Sequence, residues 1–254
     1  MFARTVIVFA LLVGVSTGCS GGGEPVPAAS RPAPSPTSAA ASPPVMELRY
    51  SFDGPLDGPV PDEAGRLPLH AVTDKGGALR SVPHGPGRAV GFPDRCLAAE
   101  PKTCPRAILE SDPAAQLNPD TRRLRYGAAV RISAEQVVNG ANVLQKGFSA
   151  SGSQFKLQVD HGRPSCVVVD ARQKDIHRAE SPAPIVDGLW HELACERVGA
   201  ALSLSVDGKP AAQVALPADL SIVNDEPLRI GGKGISANND QFSGEIDDVY
   251  LVIA

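Results

Sequence analysis

Residues 202–216 read L-S-L-S-V-D-G-K-P-A-A-Q-V-A-L. Leu202, Leu204 and Val206 alternate with serine, the period-two pattern of a strand with one buried face. Asp207-Gly208 follows, a pair that supplies the positive φ angles of a tight hairpin turn. Ala212, Val214 and Leu216 then alternate again, so the segment predicts two antiparallel strands joined by a short turn. Outward from this hairpin, strand-like runs stand at 48–52, 125–132, 142–146, 154–159, 166–170, 189–198, 227–230 and 241–253. Clusters of Gly, Pro, Asn and Asp separate them, and no long segment carries a 3.6-residue apolar stripe. Many short strands with turn signals between them imply an all-β sandwich or barrel. The weakest stretch, 95–121, reads as a long loop.

The chain has 254 residues, a length that all-β sandwiches reach as a single domain. A hydrophobic fraction of 43% with 20% charged residues allows a sizeable core, and 25 glycines with 24 prolines suit many turns. The formal net charge of -4 comes with no basic block, which excludes nucleic acid as a partner. Aromatic residues make up 4%, with Trp190 the sole tryptophan, too few for a broad sugar-stacking surface.

At the N-terminus, Arg4 precedes an apolar run from Thr5 to Val15, and Ser16-Thr17-Gly18 leads into Cys19. The run is about 11 residues, against the roughly 20 that span a bilayer as a helix, so it reads as an export signal. It resembles a bacterial lipoprotein signal, in which cleavage before the cysteine leaves that residue diacylated; Ser16 departs from the usual aliphatic residue. A plain secretory signal ending near a cysteine is the alternative. The resemblance implies a signal at 1–18, lipidation at Cys19, and an anchor on the extracytoplasmic face of the cell membrane. Residues 19–45 are almost all Gly, Ala, Ser and Pro, a tether that in polyproline II form reaches up to ~80 Å. The globular domain is expected over 46–254.

Cys96, Cys104, Cys166 and Cys195 form an even set in a chain expected to reach an oxidising space. Four cysteines allow three connectivities. Proximity favours Cys96 with Cys104, leaving Cys166 with Cys195. Neither gap has the short paired spacing of a structural zinc site.

Three segments in order resemble the laminin G-like, concanavalin A-like family: D-G-L-W-H-E-L-A-C-E-R-V-G-A-A-L-S-L-S-V-D-G at 187–208, P-L-R-I-G-G at 227–232 and F-S-G-E-I-D-D-V-Y-L at 242–251. Residues 109–132 resemble the family's approach to its core, with valine or alanine where a strand tryptophan is usual. The resemblance implies a two-sheet antiparallel jelly-roll sandwich over 46–254. Within that pattern Trp190 belongs to the core rather than to a ligand, and His191 stands at a strand edge. Family members often hold a structural calcium ion between the closing and first strands, which here implies Asp247 or Asp248 with Asp53; solvated surface charges are the alternative. Glucanases of this fold carry two catalytic glutamates flanking an aspartate on one strand. Glu245 and Asp247 match the first half of that motif, but Val249 and Tyr250 stand where the acid belongs.

Gly231-Gly232-Lys233-Gly234 lacks the following helix of a phosphate cradle and reads as a turn. The sequence therefore describes a monomeric, non-catalytic module that recognises a glycan or protein ligand through rim loops at 95–121 and 231–241. Asn238, Asn239 and Asp240 are its candidate hydrogen-bonding residues. A degenerate glycoside hydrolase whose acid comes from another strand is the alternative, as is a structural envelope lipoprotein.

Overall fold

The computed structural model describes residues 45–254 apart from 99, 151, 171, 173 and 174. The leader, Cys19 and the tether as far as residue 44 lie outside the described residues. The described residues form one compact unit. Its strands are β1 (Met46–Tyr50), β2 (Leu69–Asp74), β3 (Arg80–His84), β4 (Gly87–Gly91), β5 (Arg106–Pro113), β6 (Leu124–Ser133), β7 (Ala141–Gly147) and β8 (Gln154–Asp160). They continue as β9 (Arg163–Val169), β10 (Ile176–Glu180), β11 (Asp187–Val198), β12 (Ala201–Val206), β13 (Lys209–Ala215), β14 (Pro227–Ile230) and β15 (Glu245–Ile253).

The predicted hairpin is β12–β13, and its turn residues Asp207 and Gly208 sit at φ 52° and 71°. Two positive φ angles match the right-handed twist of the flanking strands, which is why the turn stays at two residues. Every strand pairing is antiparallel. An eight-stranded sheet runs β13-β12-β11-β6-β15-β4-β3, with β1 also paired to β15; a seven-stranded sheet runs β10-β9-β8-β7-β14-β5-β2. The result is a two-sheet jelly-roll sandwich. β15 is its keystone: one edge runs along β6, while the other is shared between β1 at Val249–Ile253 and β4 at Glu245 and Ile246.

Inward-facing residues of both sheets make one core, including Leu48, Val130, Leu193, Leu204, Ile246 and Leu251 from the larger sheet and Phe155, Leu157, Val168 and Ile230 from the smaller. Each such aliphatic or aromatic side chain contributes about 1.5–3 kcal/mol relative to exposure. Tyr126 of β6 leans on Phe155 of β8 with ring centroids 5.3 Å apart. Both expected disulfides are present, Cys96–Cys104 in a surface loop and Cys166–Cys195 between β9 and β11.

The structure adds β2, β3, β4, β5 and β10 to the strand-like runs named above. β5 lies inside the stretch expected to be a loop; its R-A-I-L-E-S run is buried on both sides and shows no alternation. The pinned loop therefore shrinks to the chain between β4 and β5. The closing strand begins at Glu245, later than the apolar run suggests.

Candidate functional site

The two loops expected to carry recognition meet. Between them lies a groove of about 570 Å³, walled by the Cys96–Cys104 loop on one side and residues 237–241 on the other, with residues 137–139 completing the rim. Its chemistry is mixed: Leu97 and Val138 offer apolar surface and Asn139 and Asn238 offer amides, while the Gln241 amide is spent on the wall, donating to the carbonyls of Ala107, Gly231 and Phe242. Leu97 is 79% exposed, so its side chain is accessible from the groove.

The 231–241 segment is built tightly. Gly231 has φ 84°, and a Cβ there would stand 1.9 Å from the Phe92 ring, so only glycine fits. Phe92 in turn meets Phe242 edge-on at 6.0 Å. This is the turn expected from the glycine run, and it sets the three candidate residues apart. Asn238 is exposed beside the groove. Asn239 is buried, its amide donating to Gly234 O at 2.9 Å and Gln241 Oε1 at 3.1 Å. Asp240 pairs with Lys233 Nζ at 3.0 Å and Lys156 Nζ at 3.5 Å. Burial lowers the pKa of Lys156, and Asp240 opposes that shift. Asn239 and Asp240 thus hold the wall, and Asn238 is the residue free to meet a ligand.

The acidic residues of β15 lie on the outer face of the eight-stranded sheet. Ile246 pairs with core residue Val130, so Glu245 and Asp247 on either side of it point away from the core, opposite Arg131 and Ala129. A bulge after Asp247 places Asp248 at φ 47° and returns Val249 to the core. Glu245 pairs with Arg131. Tyr250 lies between Arg49 and Arg125, whose guanidinium carbons are 5.9 Å and 5.4 Å from its ring centre.

Asp53 does not join Asp247 and Asp248. Its Oδ1 accepts the backbone N–H of Arg88 at 2.8 Å. The residue that joins them is His84, at the end of β3; one potential ligand atom from each of the three lies within 4.8 Å of the others. His84 Nδ1 is 2.5 Å from Asp247 Oδ2, and Asp247 Oδ1 accepts the Asp248 N–H at 2.7 Å. Burial raises the carboxyl pKa of Asp247 against the hydrogen bond to His84. Calcium takes six to eight oxygen ligands, and an imidazole nitrogen in the set does not suit it. The expected calcium site therefore does not fit these residues: the β3–β4 hairpin engages both Asp53 and Asp247.

Trp190 also departs from expectation. It pairs with Arg131 on the outer face and stacks on His84 with ring centroids 3.9 Å apart, while Arg131 sits 5.4 Å above it. Together with His84, Ala129, His191, Glu192, Asp207 and Asp248 it lines a depression of about 420 Å³. His191 is held between Asp207 at 2.9 Å and Asp187 at 3.1 Å. Burial disfavours its charge, yet these carboxylates prevail and raise its pKa. His84 was not among the residues read from sequence; the alternation and the H-G-P-G turn in R-S-V-P-H-G-P-G-R-A-V-G at 80–91 are the signal that marks its hairpin.

The model of the family described as the concanavalin A-like lectin/glucanases superfamily, a laminin G type, matches residues 119–252, and the chain belongs to that family. No curated protein sequence matches it. Among solved structures it is similar to domain 4 of AbnA, a GH43 extracellular arabinanase from Geobacillus stearothermophilus, determined with arabinotriose. The TM-score is 0.60 at 13% identity, covering 82% of this chain and 91% of that one. The binding domain of Paraclostridial Mosquitocidal Protein 1 gives a TM-score of 0.60 at 11% identity, over 82% of this chain and 49% of that one. Botulinum neurotoxin type C, whose cell entry depends on two ganglioside molecules, gives 0.56 at 10%, over 80% and 46%. The chain thus spans about half the length of the toxin chains, and at these identities the likeness shows the shared fold.

Proposed function

We propose that the protein is a non-catalytic recognition module, lipid-anchored at Cys19 on the extracytoplasmic face of the membrane, that binds a glycan through the rim groove. The observation that carries this reading is the meeting of the Cys96–Cys104 loop and the 231–241 segment around one groove. Amide groups at Asn139 and Asn238 suit sugar hydroxyls, and Leu97 and Val138 suit the apolar faces of a sugar ring. The arabinotriose held by the AbnA domain supports a saccharide ligand on this fold. A protein ligand on the same rim is the second form of the reading, supported by the similarly folded binding domain of botulinum neurotoxin DC, determined in complex with rat synaptotagmin II.

A glycan array probed with the full chain, with and without calcium, tests the proposal. Binding to a defined glycan class, weakened about tenfold or more by Leu97→Ala with Asn238→Ala, is the expected result. Silence across the array, or binding that ignores both substitutions, rejects the glycan groove. Incorporation of labelled palmitate that disappears in Cys19→Ala tests the anchor.

A further inference from the structure

We propose that His84, Asp247 and Asp248 form a binding site for a divalent transition-metal ion, zinc foremost, on the outer face of the eight-stranded sheet. The site is separate from the rim groove and stands or falls without it. One imidazole and two carboxylates make a borderline donor set, suited to zinc and its neighbours and poorly suited to calcium or magnesium. The three ligand atoms lie within 4.8 Å of one another. Zinc bonds of about 2.0–2.2 Å bring donors to within about 4 Å, and rotation of the exposed Asp248 carboxylate closes the difference.

The surroundings favour a cation with an open coordination position. Asp248, Asp207 and Glu192 line the depression beside the cluster, and among the described residues no lysine or arginine does. Arg131, which sits over the Trp190 ring, is committed to Glu245. Trp190 stacks on the His84 ring and fixes its plane, and the Asp248 N–H fixes the Asp247 carboxylate, the kind of outer support that ligating groups need. With three protein ligands, the next position faces the depression, where water or a small donor completes the shell.

Trp190 is the only tryptophan, so its emission reports on the ring stacked against it. Titration of the full chain with zinc chloride is expected to change Trp190 fluorescence saturably, with calorimetry giving about one ion per chain and EDTA reversing the effect. Calcium at the same concentrations leaves the emission unchanged. Asp248→Asn keeps a side chain tolerated at positive φ and removes one ligand, so it weakens zinc binding about tenfold or more at an unchanged thermal midpoint. His84→Gln abolishes binding, and His161→Gln, at an exposed histidine of the β8–β9 turn, leaves it intact. No saturable response to zinc, or a response that survives Asp248→Asn undiminished, overturns the proposal; the second variant decides the matter if His84→Gln does not fold.

Discussion

Cys166 of β9 and Cys195 of β11 are joined across the core, so the two sheets are linked covalently as well as packed. Both residues are fully buried, and their loop spans 29 residues of sequence. The chain-entropy model gives about 3.5 kcal/mol for a loop of this length and about 2.5 kcal/mol for the shorter Cys96–Cys104 loop. Replacing Cys166 and Cys195 with alanine is expected to cost the larger amount in urea unfolding. Removing the outer bridge costs less and releases one wall of the groove, so ligand binding suffers more than stability. Equal stability losses from the two double variants contradict this ranking.

Arg197 is 1% exposed and has no carboxylate partner among its hydrogen bonds. It donates to the carbonyls of Leu220, Asp120 and Arg122, tying the loop before β6 to the loop after β13. Arg197→Met keeps the apolar stem and removes the donor to the Leu220 and Arg122 carbonyls, while Asp120 O keeps the Ile222 N–H, for an expected loss of about 2–4 kcal/mol. A midpoint within error of the parent protein in chemical denaturation argues against this role.

Lys146 is buried and donates at 2.8 Å to Asn118 Oδ1, Asn224 O and Asn224 Oδ1. Burial pushes its pKa down to about 8, against the pull of Asp225 and Glu226. An unfolded lysine titrates near 10.4. Between those values the unfolded chain holds a proton that the folded chain has lost, so stability rises with pH from about 8 towards 10. Below about 8 both states are protonated and the cost is constant. Tyr50 and Tyr126, whose pKa values burial raises, act in the opposite direction above about 10, which bounds the useful window. Unfolding free energies across this window are expected to climb in the parent protein and to flatten in Lys146→Met; a flat parent profile refutes the assignment.

Neighbouring asparagines on the groove wall have separable roles. Asn239→Ala breaks two partly buried hydrogen bonds of a buried side chain and is expected to lower stability by about 1–3 kcal/mol. Asn238→Ala touches an exposed side chain and is expected to stay within about 0.5 kcal/mol while weakening ligand binding. Comparing thermal midpoints with affinities for both variants checks the division. A stability loss confined to Asn238→Ala reverses it.

Local pattern made part of this fold legible. The 202–216 hairpin carries alternation and turn chemistry together, and P-L-R-I at 227–230 forms a strand with those same bounds. β5 was hidden because both its faces are covered, which erases the period that marks a half-buried strand. Trp190 was misplaced by family pattern although its spacing holds the answer. Leu193 and Cys195 face inward, and a residue three positions before Leu193 faces outward. His84 and Asp247 are separated by 163 positions, so only the folded topology brings them together. The rim loops were legible as turn-rich segments, whereas the division of labour between Asn238 and Asn239 depends on burial that no linear pattern reveals.

The position of β15 governs how the chain must fold. The last strand in sequence is an interior strand of the sheet, bonded to β6 on one side and to β1 and β4 on the other. During synthesis, the edges of those three strands wait unpaired until the final segment arrives, and such open edges invite association between chains. Loss of β15 leaves a seam through the middle of the larger sheet, so premature termination near Gly244 yields an aggregation-prone chain.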